Sequence, residues 1–144
     1  MSLKVKHIKD EAELALAFKI REKVYIVEQQ IARKDEFDEF DKISEHFLAY
    51  FKDIPAGTCR YRLTDNAVKL ERFATLAAYR GKGIASALME RMIAHIRVSC
   101  SKKTKLYLNA QLTAMPLYSK FDFCPEGAVF MECGIEHQKM SRLL

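Results

Sequence analysis

The sequence predicts an α+β domain (α/β mixed) built around one central, mostly antiparallel mixed sheet flanked by helices. Three observations carry this. Short apolar segments between residues 46 and 75, separated by turn residues, read as an antiparallel meander; Gly83 to Val98 has the four-residue apolar spacing of a helix; and strand and helix patterns then follow one another to the C-terminus. With 144 residues, 49% hydrophobic and 30% charged, and only five Gly and three Pro, the chain suits one folded domain over 1–144 rather than two, and excludes a disordered or low-complexity protein.

Leu3 to Ile8 alternates apolar and polar residues and predicts a strand, and Asp10 is placed to cap a helix running to about Glu28. Leu14, Phe18, Val24 and Tyr25 form its apolar stripe, with Arg21 inside the stripe and Glu28 two turns further along the same face. These two charges are therefore expected to point inward, either as a structural pair or as ligand contacts. His46 to Lys52 and Gly57 to Leu63 read as strands joined at Asp53-Ile54-Pro55-Ala56, and Asp65-Asn66 turns the chain into a third strand, Val68 to Thr75. In the Gly83 to Val98 helix, Ile84, Leu88, Met92 and Ile96 are flanked by Ala85, Met89 and Ile93. Thr104 to Asn109 predicts a strand, Leu112 to Phe121 a short helix, and the tail two further strands.

No apolar run is long enough for a membrane span, and a soluble cytoplasmic protein with no membrane partner is expected. Four cysteines without C-x-x-C spacing and four scattered histidines suggest neither a disulfide framework nor a metal site. The net charge of +5 is uneven. Residues 1–50 carry nine Lys/Arg against eleven Asp/Glu, whereas 51–144 carry fifteen against eight. The excess is too diffuse for a nucleic-acid surface, so no nucleic acid is expected; it suits an anionic ligand in one part and a cationic one in the other. The acidic segment 33–45, with Asp35, Glu36, Asp38, Glu39 and Asp41 interleaved with Phe37 and Phe40, is either a solvated face or the wall of an amine site.

The chemistry-bearing signal is Arg80-Gly81-Lys82-Gly83-Ile84-Ala85-Ser86, between a strand and the clearest helix. A helix start has free N–H groups and a positive dipole end. Glycines let the backbone approach a phosphate, and Arg80 and Lys82 add charge; a tight turn that merely needs glycine is the other reading. Neither a P-loop nor a dinucleotide fingerprint fits: the first lacks its lysine pattern, and the second lacks its third glycine and downstream acid.

Arg80, Gly83 and Ala85, as R-x-x-G-x-A between strand and helix, resemble the acetyl-CoA motif of the GNAT N-acetyltransferases, Gln/Arg-x-x-Gly-x-Gly/Ala. Leu108 to Phe121, with its strand-end Asn109 and helix Tyr118, is similar to the second half of that fold. Residues 21–29, Leu70-Glu71-Arg72 and the tail 134–140 resemble the ElaA-like branch. Ala77 stands where many relatives have Pro, and Asp122 where Gly usually precedes the aromatic residue.

The resemblance implies an acetyl-CoA-dependent N-acetyltransferase, without metal, acting on a primary amine of a small molecule or peptide by direct attack in a ternary complex. The alternative is a non-catalytic acyl-CoA-binding regulatory module, and a homodimer stays open. Backbone groups of Phe73, Ala74 and Thr75 would pair with pantetheine, Arg80, Gly81, Lys82, Gly83, Ile84, Ala85 and Ser86 would hold the phosphates, and Asn109 would contact the cofactor's amides or close its strand. Tyr118 would protonate the departing thiolate or serve packing; Glu71 would be the general base or an arginine's partner. Arg21, Glu28, Asp38, Glu39, His46 and Arg60 are the candidates for binding the acceptor.

Overall fold

In a computed structural model that describes residues 2–144, strands β1 (Leu3–His7), β2 (Glu45–Phe51), β3 (Ile54–Thr64), β4 (Ala67–Thr75), β5 (Lys105–Gln111), β6 (Cys124–Pro125), β7 (Phe130–Glu132) and β8 (Ile135–Leu143) form one sheet. Its order is β1-β2-β3-β4-β5-β8-β6, with β7 paired to β8. Only β4 and β5 run parallel; the other neighbours are antiparallel. The tail thus holds three strands rather than two.

Two helices cover opposite faces. Helix α3 (Ile84–Ser99) lays Ile84, Leu88, Met89, Met92, Ile93 and Ile96 on Phe47, Cys59, Tyr61, Val68 and Leu70. Helix α1 (Glu11–Arg21), capped by Asp10, packs Ala17 and Ile20 on Leu48 and Ala74. Gly57 lets α3 come close, since a Cβ there would lie 2.7 Å from the Ile84 side chain. Short helices α2 (Arg33–Glu36) and α4 (Met115–Ser119) and several single 3-10 turns complete the chain.

Two irregularities depart from simple periodicity. The first helix does not continue in α geometry to Glu28: residues Glu22–Glu28 form a π-helix, closed by Gln29 N–H donating to the Val24 carbonyl at 3.2 Å. Its wider turn breaks the 3.6-residue phase, so Glu28 is rotated out of the Arg21 face. Between β3 and β4 the register shifts from Thr58 to Arg60, and on β4 Arg72 takes φ +61°, so Arg72 and Phe73 bulge opposite Cys59. The extra residue reverses the alternation: Val68 and Leu70 face α3, whereas Ala74 faces α1.

Candidate active site

Strands β4 and β5 pair only where Ala67–Lys69 meet Lys105–Tyr107. Beyond that they separate, and the gap is a cleft of about 500 Å³ with Leu70 to Thr75 on one wall and Leu108, Asn109 and Gln111 on the other. Leu76 N–H donates to the Ala56 carbonyl at 2.9 Å. By alternation Ala74 therefore points its backbone at β3, while Phe73 and Thr75 point theirs into the cleft, where no strand meets them. Their carbonyls are in use: Phe73 accepts from the Tyr25 hydroxyl, and Thr75 accepts from Arg80 Nε at 3.1 Å. Their N–H groups are the ones left for an extended ligand. Ala74 is thus a correction to the expected trio.

At one end of the cleft, Arg80 and Ala85 line it, and Gly81, Lys82 and Gly83 are exposed between them. Gly81 and Gly83 have φ +77° and +81°, and a Cβ on either would meet nothing within 4 Å. Glycine is needed here for its left-handed conformation. Gly83 is the N-cap of α3 and offers no side-chain cap; the first helical bond is Ala87 N–H to Gly83 O, leaving the N–H groups of Ile84, Ala85 and Ser86 without intrahelical partners. Lys82 lies with its ammonium 5.6 Å from the Phe51 ring centre.

Tyr118, on α4, lines the other wall with its ring edge-on to Phe73 at 5.7 Å. Burial pushes its phenol pKa up, so it stays protonated at neutral pH. The π-helix residues Tyr25 and Glu28 and its C-cap Gln29 also line the cleft, and Gln29 exchanges amide hydrogen bonds with Gln111 across the gap. Glu28 grips Arg80 through two bonds of 2.9 and 2.6 Å, which hold its carboxyl below the usual range.

Most of the expected acceptor residues lie elsewhere. Arg21 and Arg60 are 1% and 0% exposed. Arg21 donates to Glu36 at 2.8 Å and to Asp41 at 2.7 Å, not to Glu28; Arg60 donates to Asp38 at 2.8 Å, Asp41 at 2.6 Å and Glu71 at 3.1 Å. His46 is buried with Nε2 on the Asp41 carbonyl at 2.9 Å, and burial lowers its pKa. The aromatic residues of the acidic segment stack on the chain's own arginines, Phe40 on Arg62 at 3.9 Å and Phe37 on Arg21 at 4.9 Å. Burial opposes ionisation of Asp38, but Arg60 and Arg72 outweigh it and hold its carboxyl at about 2. Asp38, Glu39, His46, Arg21 and Arg60 are all absent from the cleft wall, and Glu39 is exposed to solvent. Glu36, Asp38 and Asp41 are neutralised from within because arginines distant in sequence fold onto them.

Glu71 belongs to both regions. It lines the cleft, yet its Oε1 accepts from Arg62 Nε at 2.6 Å and from Arg60. Burial raises its pKa less than these cations lower it, leaving a weakly basic carboxylate. The cleft also contains Asp35, from the acidic segment, together with His137, Glu132 and Cys133, which sequence spacing had not marked as chemistry. His137 Nδ1 lies 2.7 Å from the Ile135 carbonyl, an acceptor only, so Nδ1 is the donor there and Nε2 is the nitrogen free of that bond. Glu132 lies 3.5 Å from that Nε2. Only the tail's resemblance had drawn notice to this stretch.

Residues 10–144 match the acetyltransferase (GNAT) domain family. The uncharacterized N-acetyltransferase YjcF of Bacillus subtilis is 32% identical over 135 residues, covering 93% of this chain and 95% of its own. An acyl-CoA N-acyltransferase from Pseudomonas aeruginosa has a TM-score of 0.82 at 27% identity, over 97% of both chains. Escherichia coli ElaA has a TM-score of 0.83 at 24% identity, also over 97% of both, and shares the fold. With the family match spanning both walls of the cleft and YjcF similar throughout, the chain belongs to the GNAT acetyltransferases.

Proposed function

We propose that the chain transfers an acetyl group from acetyl-CoA to a primary amine in a ternary complex. The observation that carries this is the splay of β4 from β5: it leaves the Phe73 and Thr75 N–H groups without strand partners, between the open first turn of α3 and the Tyr118 ring. Pantetheine would add to the β4 edge as an extended strand, its pyrophosphate meeting the N–H groups from Gly81 to Ser86 with Arg80 and Lys82 nearby. Asn109, on the facing wall, would meet its amides. The names of YjcF and the Pseudomonas enzyme point to the same chemistry.

In the reaction the amine lone pair attacks the thioester carbonyl, the C–N bond forms and the C–S bond breaks. The sulfur leaves as a thiolate and takes the Tyr118 proton, and the proton the nitrogen sheds as the amide forms restores the phenol; burial keeps that proton on the phenol until it is needed. An ammonium acceptor must first lose a proton. His137 suits that task better than Glu71, because the Ile135 carbonyl engages its Nδ1 and leaves Nε2 to take the proton, and Glu132 stands beside the imidazolium that would result. Glu71 holds Arg60 and Arg62 in place. Asp35 and Glu132, rather than Asp38 and Glu39, then supply the negative charge that draws in an amine.

The test is amine-dependent release of CoA thiol from acetyl-CoA over a panel of small amines and peptides. Turnover with at least one acceptor is expected. CoA binding without turnover on any amine would support a regulatory acyl-CoA module instead. His137→Gln should remove the ascending limb of the kcat/KM pH profile, whereas Glu71→Gln should keep it; the reverse assigns the base to Glu71.

A further inference from the structure

We propose that His7, Glu45 and His95 form a site for one divalent first-row transition ion of the zinc or cobalt class, on the α3 face of the sheet and apart from the cleft. The four histidines are scattered in sequence, but the fold brings two of them together. Cross-strand register sets His7 against Phe47 and Glu45 against Tyr61, so these residues share the face that α3 covers. One ligand atom from each of His7, Glu45 and His95 lies within 4.8 Å of the others. The centre of a triangle with that longest edge is at most about 2.8 Å from each corner, so shifts of about 0.7 Å would bring all three to zinc-ligand distances.

The donor chemistry fits. Two imidazoles and a carboxylate are a recurrent three-ligand zinc set, with a position left for water. His7 Nε2 already lies 2.8 Å from Glu45 Oε1, and the two imidazole rings are 4.3 Å apart. The Tyr61 hydroxyl is 2.8 Å from His95 Nδ1, which fixes that ring as outer hydrogen bonds fix metal-bound histidines. The Glu45 side chain is 44% exposed, which leaves a way in for the ion. A bound ion would tie the edge strand β1 to β2 and α3.

Tag-free, chelator-treated protein should be titrated with Zn2+ calorimetrically and with Co2+ by visible absorption. One ion per chain with micromolar affinity is expected, with cobalt d–d bands and no thiolate charge-transfer band. His7→Gln and His95→Gln should each weaken binding by about 100-fold, and Tyr61→Phe by about 10-fold. Where a variant fails to fold, imidazole NMR of the wild type decides. Zn2+ should perturb His7 and His95 and leave His46 and His137 unchanged. No binding at millimolar ion, unchanged affinity in the folded histidine variants, a thiolate band, or perturbation confined to the other two histidines would overturn the site.

Discussion

Along β4, two regions with similar polar content differ in how that content is satisfied. On the α1 face, Glu71 is gripped by Arg60 and Arg62, and around them Arg21, Glu36, Asp38 and Asp41 spend nearly all their hydrogen bonds on one another. Along the free edge, the Phe73 and Thr75 N–H groups meet no strand, and the first N–H groups of α3 have no intrahelical partners. Charged groups paired inside a protein serve its architecture. Donors left open beside a cleft serve recognition. Charge content alone could not separate the two, which is why the acidic segment 33–45 reads from sequence as either a solvated face or an amine wall, whereas in the fold Glu36, Asp38 and Asp41 clamp the sheet and Asp35 lines the cleft.

The comparison breaks most sharply at Tyr118 and Arg60. Tyr118→Phe keeps the ring against Phe73 and removes the proton donor; kcat should fall about 10²- to 10⁴-fold with CoA affinity nearly unchanged, as single-turnover kinetics would reveal. Arg60→Ala should act on folding instead. It strips Asp38, Asp41 and Glu71 of a shared partner, and urea unfolding should show a loss of about 3–5 kcal/mol, the usual consequence of leaving buried charges unpaired.

Gly83→Val tests the open donors at α3. No protein atom lies within 4 Å of the added Cβ, so the fold meets only the strain of φ +81°, while a phosphate would meet the side chain. CoA affinity should fall at least about 10-fold by calorimetry, with the α3 circular dichroism retained.

The clamp should also show in acid. Asp38 titrates at about 2 in the folded state, below an unfolded value near 3.9. Its contribution is therefore fully present above about pH 4 and lost as pH falls toward 2. Asp41 and Glu71 are shifted the same way; Glu36, raised by burial, opposes them. The stability gap between wild type and Asp38→Asn should accordingly close between about pH 4 and pH 2. The smallest effects belong to the acceptor. Asp35→Asn and Glu132→Gln should raise its KM a few-fold at low salt, whereas Glu39→Gln, outside the cleft, should leave it unchanged.

Much of this framework is legible in the amino acids. The spacing of Ile84, Leu88, Met92 and Ile96 defines α3, the glycines before it mark its left-handed entry, and Asp65-Asn66 forms the expected turn, with φ of 22° and 66°. Periodicity fails where the backbone departs from ideal repeats. The π-helix carries Glu28 away from Arg21 to Arg80, and the bulge at Arg72 swaps the faces of β4, so no fixed period could have placed either. The other gaps are tertiary: partners such as Arg21 and Asp41, or His7 and His95, meet only once the sheet is assembled. His137 enters the cleft because β8 pairs beside β5, a neighbour relation that local pattern does not encode.

Hydrogen exchange of the wild-type protein with and without saturating CoA tests most directly whether the open donors form the cofactor site. Slower exchange confined to the amides of Phe73, Thr75 and Gly81 to Ser86, with the clamp residues Asp38 and Asp41 unchanged, is the expected result. Saturating CoA that leaves the β4 edge and the head of α3 exchanging as in the free protein would contradict it.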